Sequence, residues 1–119
     1  MDITTGLNQE LRFMLLEQYG LKKVIAHPDV SEDDLMIIIS HTKEPEKKVL
    51  AASRLQTINS EYIRVGIAEY TKTKHVNGLG AARARSQFKY DLQKRYVYAS
   101  PVEQATIQNV LSDNMIRQT

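Results

Sequence analysis

Between Pro45 and Thr73 the chain keeps one steady helical period with no internal proline. At 100° per residue, Ala51, Leu55, Ile58, Tyr62 and Val65 share one row, with Ala52, Ile63, Gly66 and Tyr70 beside it. Arg54, Thr57, Glu61, Arg64 and Lys72 fall on the opposite arc. The start is specified by Thr42 and Glu44 ahead of Pro45, whose fixed φ suits a first helical turn, with Glu46 near the positive end of the dipole. The end is marked by Lys72, Lys74 and His75, then by Asn77-Gly78. One continuous helix over 45–73 would be roughly 43 Å long, against a radius of gyration of about 13.5 Å for a compact chain of this size. Such a helix either bends, with Gly66 as the expected place, or projects. Its broad apolar face makes Leu55, Ile58, Tyr62 and Val65 the expected oligomerisation surface.

Flanking segments carry their own helical patterns. Leu7, Leu11, Met14, Leu15 and Gln18 form the main stripe of a first helix over about 5–19, with Thr4 or Thr5 as N-cap and Gly20 as terminator. Phe13 and Leu16 lie off that stripe, so this helix is expected to be covered on more than one side. A short helical turn, Leu21 to Ala26, stops before Pro28. Read as a helix-turn-helix around Gly20, this region fits poorly: Leu16 stands where a small residue belongs, and Pro28 truncates the second helix. Ser31 with Asp34 forms a weak capping box for a third helix over about 32–41. Leu35 to Ile39 could also read as a buried strand, but the cap and the lack of a partner strand favour helix.

Gly78 and Gly80 lack a preceding strand and a Gly-Lys-Ser/Thr ending, so they predict a flexible joint rather than a phosphate loop. A helix over about 79–96 follows, as a hairpin-like partner of the long one, with Ala81, Ala84, Phe88, Leu92 and Tyr96 on its inner row. Tyr96 to Ala99 reads as extended. Ser100, Pro101 and Glu103 then open a last helix, to about residue 117, whose apolar side is Val102, Ala105, Ile107, Val110, Leu111 and Met115. The expected fold is a single all-α domain over 1–119, a small helical bundle.

Charge changes this picture more than composition does. The net charge is only +2. Met1–Glu44 nevertheless holds four Lys/Arg against eight Asp/Glu, and Pro45–Thr119 twelve against six. An acidic first part and a basic second part suit a polyanion on the second, or one subunit meeting the other half of its neighbour. On the 79–96 helix, Arg83, Gln87, Tyr90 and Lys94 lie on one narrow arc opposite the apolar row. Two cations, an amide and a phenol in a row can contact phosphates, stack and hydrogen-bond. Lys72, Lys74, Arg85 and Lys89 widen the basic region, and Asp91 is the only acid between residues 72 and 95. Arg85 and Arg95 also fall beside the apolar row, where their stems would cover core and their heads find acids.

Catalytic chemistry is poorly represented. The chain has no cysteine, which removes disulfides, thiolate metal sites and cysteine nucleophiles. His27, His41 and His75 stand at expected element ends without metal-ligand spacing, and Glu32, Asp33 and Asp34 read as helix-start acids. No metal, cofactor or small-molecule substrate is expected, and neither a secretory leader nor a membrane span. A cytoplasmic location follows as the expectation.

The expected function is therefore a non-enzymatic nucleic-acid-binding accessory protein acting as a homo-oligomer. DNA, as a duplex, is the preferred ligand and RNA the other. At the level of architecture this resembles small phage-encoded DNA-packaging and replication accessory proteins. The rival expectation is a structural adaptor, for example of a viral particle, whose basic row meets acids such as Glu32, Asp33 and Asp34 of a neighbour.

Overall fold

The computed structural model describes residues 5–118, with side chains from 9 to 112. Seven α-helices and one 3-10 turn follow in order: α1 Thr5–Tyr19, α2 Leu21–Ala26, α3 Glu32–His41, α4 Pro45–Ile58, the 3-10 turn Ser60–Tyr62, α5 Ile63–Thr73, α6 Leu79–Tyr96 and α7 Pro101–Gln118. There is no strand among the described residues. The helices pack against each other as a small all-α bundle of 46 × 32 × 24 Å.

Local signals set most boundaries. Ser31 Oγ accepts the Asp34 N–H at 3.1 Å and opens α3, where Leu35 and Ile38 are fully buried. The Leu35–Ile39 run is thus helical. Pro45 starts α4 behind Glu44, and Ser100 Oγ accepts the Glu103 N–H at 3.3 Å to start α7. Gly20 and Gly78 take φ of +111° and +116°, conformations that side chains rarely adopt, and each precedes a helix.

The long helix is two helices. α4 ends at Ile58, and Asn59 turns extended, φ −142° and ψ 115°. Its side-chain oxygen accepts the Glu61 N–H at 3.0 Å, which offers the backbone a local alternative to the next helical turn. α5 then packs back along α4, so nothing 43 Å long projects. Gly66 is not the bend. It lies inside α5 under the Phe88 ring, where a Cβ would come within 2.6 Å of Cε1.

α4 is the wall shared by two apolar clusters. Ala51, Ala52 and Leu55 face the first, with Leu21, Val24, Ile25, Leu35, Ile38 and Ile39. Val49 faces the second, with Ile63, Tyr70, Ala84, Phe88, Leu92, Ile107 and Val110. The Tyr70 and Phe88 rings stack at 5.4 Å between centroids. α6 lies chiefly against α4 rather than against α5, the second half of the expected long helix.

Three further expectations change. On α1, the off-stripe Phe13 and Leu16 pack on the first cluster, and Phe13 stacks on His41 at 5.5 Å. The main stripe instead points outward: Leu11 is 50 % exposed and Leu15 63 %, with Met14 and Tyr19 between them in exposure. Val97 to Ala99 is turned, not extended, because the N–H groups of Tyr98 and Ala99 bond back to the Arg95 and Tyr96 carbonyls. On α7, Ile107 and Val110 are buried while Val102 and Ala105 face out. The side chains of Leu7 and Met115, and the Thr4 cap, lie outside the described residues.

Candidate nucleic-acid interface

Ala84, Phe88 and Leu92 anchor α6 in the second cluster, Ala81 is buried on the same row, and together they fix which arc the helix shows to solvent. Arg83, Gln87, Tyr90 and Lys94 are all exposed on that arc. Lys94 Nζ sits 4.8 Å above the Tyr90 ring, a cation–π contact that holds the two side chains together at the surface. The single acid of the helix, Asp91, is turned toward α4: Ser53 Oγ donates to its Oδ2, and Gln87 Nε2 donates to its Oδ1 at 3.1 Å. A shallow groove runs beneath Arg83 and Tyr90, floored by Leu79, Ala82, Ser86 and Gln87.

The wider basic set divides by what each cation already holds. Arg85 does not find an acid; its NH1 donates at 2.9 Å to both the Thr73 and the Val76 carbonyls. It therefore closes the C-terminus of α5 and braces the chain at Val76. Partial burial, then the neighbouring Arg85 charge, hold the Lys89 ammonium below the usual lysine range. Lys72 is well exposed and lies 3.4 Å from Glu69 Oε2. Lys74 is half-buried beside it at the end of α5. Arg83, Tyr90, Lys94, Lys89 and Lys72 are thus presented outward to some degree, and Arg85 is a structural clamp.

The expected oligomerisation row also divides. Leu55 is fully buried in its own chain's core, so a second copy has no access to it. Tyr62 and Val65 pack on the first cluster, and Ile58 is 41 % exposed. The acids Glu32 and Asp34 have partners at home. Asp34 Oδ1 lies 2.7 Å from Arg12 NH2, and Glu32 hydrogen-bonds the Tyr62 hydroxyl.

No family model, curated protein or solved structure matches this chain. What its surface can do follows from its own side chains. Among the described residues there is no grouping of three or more His, Cys, Asp or Glu that could hold a metal, and no helix is long and apolar enough to cross a membrane. His27 Nδ1 accepts the Asp29 N–H at 3.0 Å, and His41 Nδ1 lies 3.0 Å from the Ile37 carbonyl; both serve helix ends.

Sequence reasoning missed a second feature. At the far end of α6 a cleft of about 230 Å³ is lined by Gln56, Thr57, Asp91, Lys94, Arg95 and Tyr98. Gln56 was masked by its type, since a glutamine on an amphipathic helix reads as surface. Here it is 1 % exposed, beside Asp91, Lys94 and Arg95 of the C-terminal half of α6.

Proposed function

We propose that the chain is a nucleic-acid-binding accessory protein without catalytic activity, acting as a homo-oligomer, with α6 as its contact helix. The observation that carries this reading is the outward arc of α6, where Arg83, Tyr90 and Lys94 stand exposed in a row and the helix's one carboxylate, Asp91, is held beside them by Ser53 and Gln87. Cations spaced along a helix neutralise successive phosphates, and the exposed phenol and amide add stacking and hydrogen bonding.

For self-association the outward stripe of α1 replaces the buried Leu55 row, and its occupant is a second copy. Glu10 and Glu17 border the stripe on one side and Arg12, whose guanidinium also holds Asp34 of its own chain, on the other, by 100° per residue. Parallel packing about a two-fold axis sets each acidic border against the partner copy's basic one, whereas antiparallel packing opposes like borders. Met14→Lys with Leu15→Lys should yield monomers of unchanged helicity in sedimentation velocity. An unchanged sedimentation coefficient places self-association elsewhere.

Charge reversal tests the contact helix. Arg83→Glu with Lys94→Glu should abolish binding to nucleic acid and leave the oligomer size intact. If the oligomer itself comes apart, the basic row is a protein–protein surface and the adaptor reading replaces this one.

A further inference from the structure

The Gln56 amide is the most exceptional polar group in the described chain: it is buried, and neither its nitrogen nor its oxygen has a hydrogen-bond partner in the protein. Arg95 Nε, in the same cleft, is also buried and without a partner, while its NH2 reaches Glu103 Oε1 at 3.5 Å. Buried polar groups are nearly always hydrogen-bonded. The amide lies against the lining of the cleft with both of its hydrogen-bonding atoms closed to solvent and unpaired, so a ligand that reaches it with one donor and one acceptor side by side satisfies both.

We infer that this cleft takes one unstacked base of a single-stranded nucleic acid whose backbone follows α6. The inference rests on the nucleic-acid reading of α6 and narrows it, replacing the expected duplex with a single strand. Side-chain amides pair with base edges through an adjacent donor and acceptor, as a glutamine does with adenine. Tyr98, 89 % exposed on the turn after α6, offers a ring for stacking, and Lys94 with Arg95 supplies cations for flanking phosphates. The volume lies below the roughly 300–1,000 Å³ of drug-sized sites and suits one planar ring system.

The cleft also neighbours the outer face of α6 through shared lining residues. It shares Thr57 and Asp91 with a neighbouring depression of about 350 Å³, which in turn shares Gln87 with the groove under Arg83 and Tyr90. A strand that follows these neighbouring depressions along the helix would drop a base at its end. Paired and stacked bases of a duplex cannot enter.

The test measures fluorescence anisotropy of the full chain with a labelled single strand, an abasic strand of equal length, and the duplex. The abasic strand keeps every phosphate and lacks the bases. The single strand should bind about tenfold or more tighter than the other two, the order of one stacked base. Gln56→Leu and Tyr98→Ala should each remove about that factor for the normal strand and leave abasic and duplex affinities unchanged. Gln56→Leu puts an apolar residue in an enclosed site, and Tyr98→Ala alters an exposed turn, so one of the two remains informative if the other misfolds. Equal affinity for normal and abasic strands, or single-strand affinity untouched by both substitutions, overturns the base cleft. Binding that Arg83→Glu abolishes and Gln56→Leu ignores overturns the cleft alone; no binding to any of the three at low salt overturns the α6 reading with it.

Discussion

Gly66→Ala separates two roles for one residue. As a hinge in a long helix, Gly66 would be improved by alanine, by about 1 kcal/mol of helix propensity. As the slot that admits Phe88, it cannot be. The new Cβ would lie 2.6 Å from Phe88 Cε1 and 3.2 Å from Cζ. Carbon contacts settle near ~3.5–4.0 Å, so the ring edge must retreat by about 1 Å. Phe88 is fully buried and stacked on Tyr70, which leaves little room for that movement. Overpacking of this kind costs about 1–3 kcal/mol. Taking about 2.5 for a backed ring and subtracting about 1 for propensity leaves a net loss of about 1.5 kcal/mol. For 119 residues the unfolding entropy is about 0.25 kcal/mol/K, so Tm should fall by about 6 °C in a far-UV circular dichroism melt. In a Phe88→Leu background the alanine should cost much less, because the obstructing ring edge is gone. A rise in Tm, or the same cost in both backgrounds, refutes the packing account.

Arg85→Ala should cost about 2 kcal/mol, since two carbonyls that a guanidinium now serves lose their donor. Arg85→Lys should not restore it in the same melt, because one ammonium cannot reproduce the planar fork. Asn59→Ala removes the acceptor for the Glu61 N–H and should lower stability by about 1 kcal/mol without adding helix; a gain in helicity would mean that α4 and α5 are joined by preference. The hydrogen bond to Glu32, and then its charge, raise the Tyr62 pKa above 10.0. The folded value exceeds the unfolded one, so this contact's stabilisation is complete below pH 10 and is lost as pH rises through the folded pKa. Glu32→Gln should move the Tyr62 phenolate absorbance, isolated by difference from Tyr62→Phe, back toward pH 10.

Helix ends were legible where a side chain announces them: Ser31, Pro45 and Ser100 each stand where α3, α4 and α7 begin. The inner row of α6 was legible too, and with it the exposure of Arg83, Gln87, Tyr90 and Lys94, because small and apolar residues recur on only one arc. The break at Asn59 was hidden because apolar residues continue in phase across it, and periodicity alone does not distinguish a straight helix from one that folds back. α1 offered two apolar faces, and the smaller one, Phe13 and Leu16, won the core. That choice belongs to the shape of α3 and α4, not to α1. Arg85 was expected to seek a carboxylate and found carbonyls, and Gln56 is buried beside Asp91, Lys94 and Arg95 of α6. Both outcomes depend on tertiary placement that residue type does not encode.

The claim that the outer face of α6 holds a nucleic-acid backbone is tested most directly by the salt dependence of binding. With Arg83, Lys94 and Lys72 each neutralising one phosphate, log K should fall with log salt at a slope of about −2.7 on duplex and about −2.1 on a single strand. Between about 50 and 200 mM salt, single-strand affinity should therefore drop roughly 20-fold in fluorescence anisotropy, and Arg83→Glu should make the slope shallower. Binding that is indifferent to salt, or a slope unchanged by Arg83→Glu, would contradict the account.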